Sequence, residues 1–269
     1  MASGTSSGKA SEKPTLSAYP AWLESAHQVK IKEEQTRYTA TGDAAKRVIE
    51  QSEFWQAYKR QRRELDDQYQ ISSRGYLLFA SAEDDHLHIK SWSSFIEKSW
   101  RKNIVNNPNW PEAPEGDWVL PDRWYELTND IIRTTLVVKY LDGVEVLLNG
   151  LRDIASDCGR AFESSLEARD EGYYAAHSYT YHDVPVPQKD WDVVDKSLRF
   201  EVQITTQLQE VIRRLTHEEY DKRRKSIPDA TKKWQWDYSG ESFTPNYLGH
   251  ILHYMEGLIM EVRNRDDGR

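Results

Sequence analysis

Two acidic residues, Asp130 and Glu201, are each placed by strand-forming residues around them. Glu201 lies within residues 198–205, where apolar and polar side chains alternate, and Asp130 precedes the β-branched run 131–140. Because successive side chains of a strand point to opposite faces, Glu201 shares a polar face while the other face builds core. Carboxylates on neighbouring strands suit Mg²⁺ held against a nucleotide triphosphate, since this ion prefers oxygen ligands. The pair predicts metal-assisted transfer of a phosphorus group, although a solvent-facing strand would show the same alternation.

The composition limits the class of protein. The chain has 269 residues, of which 38% are hydrophobic and 12% aromatic, enough for one good-sized core with an appended helical part. The formal charge of −8 argues against a protein that coats nucleic acid with its whole surface. The single cysteine, Cys158, excludes an internal disulfide and indicates a reducing, cytoplasmic setting. Since no apolar stretch approaches about 20 residues, we expect no membrane partner.

The order of patterns along the chain predicts an α/β or α+β domain with helical extensions. A helix is expected at about 144–162, begun by a turn at Asp142 and Gly143, between the two strand-like runs. Another helix is expected over 208–224. The boundaries that follow are a disordered tail over 1–20, a helical region of one or two amphipathic helices over 21–74, a catalytic domain over 75–225 and a C-terminal helical extension over 226–269.

A segment rich in serine and lysine predicts a further helix, over residues 91–102. Helical spacing places Ser91, Lys98 and Arg101 on one face, and Lys90 lies just before the helix begins. The three cations would converge on a triphosphate, because ammonium and guanidinium groups bind phosphate oxygens. An ordinary solvated basic helix would show the same stripe, so both interpretations stay open.

A glycine introduces two more candidate residues. Gly172 is followed directly by Tyr173 and, four residues later, by His177. A tyrosine presented by a flexible glycine can stack on a purine base, and a histidine can bind a phosphate or lie near the acceptor hydroxyl. Because a histidine on a strand or loop is more often structural, His177 alone is a weak signal.

In their order along the chain, these elements resemble the RelA/SpoT synthetase family. The resemblance implies a nucleotidyltransferase-like fold, a mixed β-sheet flanked by helices, and transfer of the β,γ-pyrophosphate of ATP to a 3′-hydroxyl group. Because no hydrolase-type metal module precedes them, the sequence is similar to the small alarmone synthetases and their toxic subgroup. The match covers about 75–224 and rests on the Lys-Ser helix from Lys90, on Asp130, on Gly172-Tyr173 with His177, and on Glu-Val-Gln-Ile-Thr-Thr from Glu201 followed by His217 and Tyr220.

The resemblance also implies a role for each candidate residue. Asp130 and Glu201 would coordinate Mg²⁺ as the cofactor and act as the catalytic residues, with Glu201 a candidate base for the acceptor hydroxyl. The ATP-binding residues would be Lys90, Ser91, Lys98, Arg101 and Arg133. The acceptor-binding residues would be Tyr173, which stacks on the base, with His177 and Gln203.

Four positions depart from the family's pattern. The family usually has arginine where His88 and Thr205 stand, and glycine and arginine where Arg133 and Thr135 stand. Each missing guanidinium removes bidentate contacts to phosphate of about 1.5 to 3 kcal/mol, and Arg133 is placed to restore one of them. We expect the changes to affect ATP geometry and acceptor identity more than the metal pair.

Three functions stay open on the sequence alone. The first is synthesis of guanosine tetra- or pentaphosphate from ATP and GDP or GTP. The second is a toxin that pyrophosphorylates the 3′ end of tRNA and is held in check by an antitoxin. The acidic net charge favours the first, and the basic run 222–225 favours the second. The third is an inactive nucleotide- or partner-binding module, against which the retained carboxylates and lysines argue. A homo-oligomer is also left open.

Overall fold

The computed structural model describes residues 12–81, 85–124, 128, 130–190, 192–215 and 233–266. The chain divides into two compact units, Met1–Thr39 with Ser91–Thr128, and Ala40–Lys90 with Asn129–Arg269. The start of the predicted tail (1–11), the basic run 222–225, His217 and Tyr220 lie outside the described residues.

Within these ranges the chain forms seven helices and five strands. The helices are α1 (Tyr19–His27), α2 (Ile31–Gln51), α3 (Glu53–Ser72), α4 (Trp92–Trp100), α5 (Leu141–Asp157), α6 (Gln207–Leu215) and α7 (Phe243–Asp266). The strands are β1 (His88–Ile89), β2 (Ile132–Val138), β3 (Phe162–Ala168), β4 (Tyr174–Pro187) and β5 (Val193–Thr206). A π-helical turn (Arg101–Val105) follows α4 directly, and a 3₁₀ turn (Trp234–Trp236) precedes α7.

All five strands belong to one mixed sheet in the second unit, in the order β1-β2-β5-β4-β3. The central strands β2 and β5 run parallel, and the other neighbours are antiparallel. A mixed sheet flanked by helices confirms the predicted α+β fold class.

The two faces of the sheet follow from alternation in the sequence. Along β5, Leu198, Phe200, Val202 and Ile204 are buried, as predicted. The parallel ladder places Ile132 beside Phe200 and Leu136 beside Ile204, so the apolar side chains of β2 join the same layer. Because side chains alternate between faces, the polar residues of both strands share the opposite face.

Helices α3 and α5 cover the apolar face. The hydroxyl of Ser52 caps α3 by accepting a hydrogen bond from the backbone N–H of Trp55 at 3.2 Å, which satisfies one of the unpaired donors of the first turn. The ring of Trp55 meets that of Phe200 edge-on, with centroids 5.5 Å apart. On α5, Gly150 lets Leu65 of α3 approach closely, since a Cβ there would lie 2.7 Å from Leu65 Cδ2. Three helices, α1, α2 and α3, lie within residues 19–72, where one or two were predicted.

The prediction of a helix over 144–162 was wrong at both ends. Helix α5 begins at Leu141, so Asp142 and Gly143 lie in its first turn rather than in a turn before it. Gly143 is small because of packing: a Cβ there would lie 3.2 Å from Cβ of Val138. At the other end, Phe162 belongs to β3. The pattern analysis also missed β3 and β4.

The first unit contains α4, where a helix was predicted over 91–102. Its interior is polar as well as aromatic. Tyr19 donates to the hydroxyl of Ser99 at 2.6 Å and accepts from Asn103 at 2.7 Å, and burial raises the pKa of Tyr19 to about 12. A buried hydroxyl with two partners fixes α1 against α4 and the π-helical turn after it.

The C-terminal helix α7 packs within the second unit. Arg263 donates to the hydroxyl of Tyr69 and to the carboxylate of Asp142, each at 3.0 Å, and Tyr69 donates to the same carboxylate at 2.8 Å. Near the other end of the helix, Gly249 lies against the backbone of Gly172, where a Cβ on either residue would overlap a backbone oxygen. Among the described residues, no helix is both long and apolar enough to cross a membrane.

We predict that Arg263→Ala lowers the free energy of unfolding by about 2 kcal/mol, because it leaves Tyr69 and Asp142 without their charged partner. Urea denaturation measures the change. Arg265→Ala is the matched control, since Arg265 pairs with the exposed Glu261 one turn away in the same helix. It should cost less than about 0.5 kcal/mol. Equal effects of the two substitutions would contradict docking through Arg263.

A second prediction concerns pH. Burial, with the charge of Arg160, lowers the pKa of His182 from 6.5 to about 4. The unfolded chain therefore takes up a proton below pH 6.5 while the folded chain does not, so stability falls as the pH drops from 6.5 to 4. The loss from this residue is about 3 kcal/mol. Denaturation of the wild type and His182→Phe across this range tests it, and an equally steep pH dependence in both would refute the assignment.

Candidate functional site

The polar face of the sheet gathers several predicted site residues. In the ladders, Glu201 on β5 lies between Arg133 on β2 and Tyr179 on β4. Two positions further along β5, Gln203 lies between Thr135 and His177. Because paired residues of adjacent strands share a face, these side chains form one contiguous polar surface.

The carboxylate of Glu201 is the centre of this surface. It accepts hydrogen bonds from Nδ1 of His177 at 2.7 Å and from the hydroxyl of Tyr179 at 3.3 Å, both on Oε1. Its Oε2 accepts from the amide of Gln203 at 3.2 Å. Glu201 is only 3% exposed, so these donors replace the water that a carboxylate otherwise needs. The result is a buried carboxylate held in one orientation.

His177 connects Glu201 to Tyr173. Since a carboxylate oxygen accepts, Nδ1 of His177 carries the proton, and Nε2 lies 3.3 Å from the hydroxyl of Tyr173. Burial raises the pKa of Tyr173 to about 12, and the charges of Glu167 and Glu201 act in the same direction. The tyrosine hydroxyl is therefore a donor at neutral pH, and the chain of bonds fixes both rings.

The turn between β3 and β4 presents Tyr173. Gly172 has a φ of 78°, in the left-handed region that favours glycine, and Arg169 donates its backbone N–H to the carbonyl of Tyr173 at 2.9 Å. The guanidinium of Arg169 lies 5.1 Å from the centre of the Tyr173 ring. A cation on one face of the ring directs any stacking partner to the other face.

A small cleft of about 20 Å³ opens beside Tyr173. Hydroxyl, amide and guanidinium groups supply most of its polar lining. Among the described residues that line it there is no carboxylate, so the cleft suits an anionic group with hydrogen-bond acceptors. The lining includes Thr135, Tyr173, Gln203, Thr205, Gln209 and Arg213.

Asp130 and Lys90 form a separate pair beside the start of β2. Lys90 Nζ lies 2.9 Å from Asp130 Oδ2, and the backbone N–H of Lys90 donates to the carbonyl of Ile131 at 2.8 Å. The residue directly beside Glu201 in the β2 ladder is Arg133, three positions after Asp130. Joint coordination of one ion by Asp130 and Glu201 therefore stays a prediction.

The chemistry of the carboxylates fits Mg²⁺. The Glu201 carboxylate has about four lone-pair directions. In the part of the chain that the structure describes, three of them accept hydrogen bonds, and the fourth, on Oε2, remains for a metal ion. Within the described ranges, no group of three or more histidine, cysteine and acidic side chains could hold a metal by itself. A metal here would take the oxygens of one or two carboxylates and complete its shell with phosphate and water.

Three predicted ATP-binding residues lie in the first unit. Ser91 is the N-cap of α4, where its hydroxyl accepts from the backbone N–H of Ser94 at 3.2 Å. Lys98 lies in the last turn of α4, and Arg101 pairs with Glu97 at 3.6 Å. Their phosphate-binding roles stay predictions.

The sequence analysis missed three residues of the polar face and cleft. Tyr179 was detectable, because it lies two residues after His177 and therefore on the same face of a strand. Gln209 and Arg213 lie one helical turn apart in α6, the helix that directly follows the Glu201 strand. That spacing would have placed both on one side of the helix.

No protein-family model matches the chain, and no curated protein matches it. Small alarmone synthetase 1 from Bacillus subtilis, solved with its product pppGpp, is similar at a TM-score of 0.50 and 14% identity, over 79% of this chain and 94% of that chain. A second structure of that synthetase gives 0.49 at 14% identity, over 80% and 95%. A GTP pyrophosphokinase family protein from Streptococcus pneumoniae gives 0.44 at 16% identity, over 79% and 90%.

The five-stranded mixed sheet with helices around it defines an α+β protein. More particularly, the chain has the fold of the small alarmone synthetases. The family resemblance predicted from the motifs is thus confirmed at the level of the fold.

We predict that Glu201 and His177 are energetically coupled. Glu201→Gln and His177→Asn should each lower the free energy of unfolding, and the double variant should lose less than their sum by about 1 to 3 kcal/mol. The exposed pair Arg199 and Glu163, on the same sheet at 2.8 Å, is the control cycle, with a coupling below about 1 kcal/mol. Additive effects at Glu201 and His177 would mean that the buried hydrogen bond is absent in solution.

Proposed function

We propose that the protein is a pyrophosphotransferase, which moves the β,γ-pyrophosphate of ATP to the 3′-hydroxyl of GDP or GTP. The observation that carries the proposal is the buried Glu201 carboxylate, which His177, Tyr179 and Gln203 hold in one orientation. The donor-lined cleft beside it supports nucleotide binding. The solved relative of the same fold that holds pppGpp supports a guanosine acceptor.

Glu201 is suited to accept the proton of the acceptor hydroxyl. In the proposed step the 3′-oxygen bonds to the β-phosphorus of ATP, and the bond from that phosphorus to the oxygen shared with the α-phosphate breaks. AMP leaves with that electron pair, and the hydroxyl proton passes to Glu201. Because donors already fix the carboxylate, little reorganisation is needed when the acceptor arrives. His177 and Tyr179 act as positioning residues.

The acceptor base would stack on the face of Tyr173 opposite Arg169. This geometry follows from the guanidinium 5.1 Å from the ring centre, which occupies one of the two faces. Gln203 lines the same cleft and has amide groups for the acceptor. The hydroxyl of Tyr173 is engaged by His177, so the ring cannot rotate freely when the base binds.

On the ATP side, Lys90 and Arg133 would bind phosphate oxygens. The ion pair with Asp130 at 2.9 Å orients the Lys90 ammonium group before ATP binds. Bound Mg²⁺ would neutralise charge on the phosphates.

Transfer of label from γ-labelled ATP tests the function. We expect label in the product with GDP or GTP, and a loss of at least about 100-fold in Asp130→Asn and Glu201→Gln. Glu261→Gln is the matched control, because Glu261 is an exposed residue of α7 that pairs with Arg265 in the same helix. It should keep wild-type activity.

The alternative acceptors are included in the same assay. Label on deacylated tRNA alone would replace the guanosine proposal with the toxin, and label on ADP would change the base. No labelled product with any acceptor would refute the proposed function. Full activity in Glu201→Gln, with a folded protein by circular dichroism, would remove Glu201 from the reaction.

A further inference from the structure

Arg213 supplies the cationic side chain among the described residues that line the cleft. It extends from α6, whereas Thr135, Gln203 and Thr205 line the cleft from the sheet. Two of these sheet positions, Thr135 and Thr205, are places where the family resemblance predicts arginine. The cleft therefore receives a guanidinium group from the helix instead of the sheet.

A buried carboxylate fixes the position of this guanidinium group. Arg213 Nε and Nη2 donate to the two oxygens of Glu210 at 2.7 and 2.8 Å. Glu210 is only 6% exposed, whereas the side chain of Arg213 remains 45% exposed. These two bonds use two of the five N–H groups of the Arg213 guanidinium, and the other three point away from Glu210. A fixed, partly exposed guanidinium is suited to bind phosphate.

Glu210 does not cancel the positive charge. Arg214 donates to the same carboxylate at 2.7 Å, so one negative charge is shared by two arginines. The side chain of Arg214 is 75% exposed and is not part of the cleft lining. The group of three carries a net positive charge, and the arginine that reaches the cleft is Arg213.

Other cations raise the positive potential at this end of the polar face. Burial lowers the pKa of His88, and the charges of Arg133, His86, Lys46 and Arg213 lower it further. Arg133 and Arg213 thus both contribute to the positive potential at His88. Arg133 is also the neighbour of Glu201 in the sheet.

We propose that Arg213 binds the 5′-phosphate groups of the acceptor nucleotide. This inference rests on the proposed function, which places the acceptor base on Tyr173 in the same cleft. It deepens that function by naming the side chain that would distinguish a nucleoside di- or triphosphate from the free nucleoside.

Equilibrium binding tests this assignment without any transfer reaction. Titration calorimetry with GDP, guanosine, ADP and adenosine is carried out on the wild type, Arg213→Gln and Arg214→Gln. The wild type should bind at least one diphosphate about tenfold or more tighter than its nucleoside. Arg213→Gln should lose about tenfold in affinity for that diphosphate and keep its affinity for the nucleoside. Arg214→Gln should match the wild type, since it removes the same kind of bond to Glu210 outside the cleft.

Arg213→Lys adds a second readout, since it keeps the charge and should recover part of the lost affinity. Three results would overturn the inference: an unchanged diphosphate preference in Arg213→Gln, an equal loss in Arg214→Gln, or no binding of any of the four compounds by the wild type. A protein that shows the preference yet transfers no label would refute the proposed reaction and leave the phosphate contact intact. Labelled product from the wild type, together with an unchanged diphosphate preference in Arg213→Gln, would support the reaction and refute the phosphate contact.

Discussion

In the parallel ladder between β2 and β5, Ile132 lies beside Phe200 and Arg133 lies beside Glu201. One register therefore determines both the apolar layer under α3 and α5 and the polar surface on the opposite face. A shift of one residue would exchange the two faces, which would turn Glu201 toward Trp55 and expose Phe200. The burial of apolar side chains in the core thus also stabilises the arrangement of the site.

Burying Glu201 has a cost that the neighbouring strands offset. A carboxylate removed from water loses several kcal/mol of hydration unless donors replace it. His177 and Tyr179 from β4 and Gln203 from β5 are those donors, and each lies on a rigid strand rather than on a loop. The carboxylate is consequently pre-oriented, which is the arrangement that lowers reorganisation during a proton transfer.

The sequence predicted β5 well because its alternation is strict, with Leu198, Phe200, Val202 and Ile204 all apolar. It could not predict β4 in the same way, since Ser178, Thr180 and His182 occupy buried positions between apolar ones. Local contacts compensate for their polarity, such as the 3.0 Å hydrogen bond between Thr180 and His182. Strand β3 is an edge strand, mostly exposed, so burial imposes little pattern on it.

The candidate site shows the same limit. Motif order was enough to select Glu201, Gln203, Tyr173 and His177 as one group. The bond between His177 and Glu201 depends on how β4 aligns with β5, and that register is decided by tertiary packing rather than by local sequence. Spacing could place Tyr179 on the same face as His177, but its bond to Glu201 also depends on this register.

Gly172 and Gly249 meet backbone to backbone, although one lies in a turn and the other in the second turn of α7. Glycine inside a helix costs about 1 kcal/mol relative to alanine, so α7 gives up some of its own stability at this point. In return, the turn that carries Tyr173 packs directly against the backbone of α7, which is more rigid than a side chain. The position of the Tyr173 ring therefore depends on the absence of a Cβ at both glycines. A side chain at either glycine would push the turn and the helix apart.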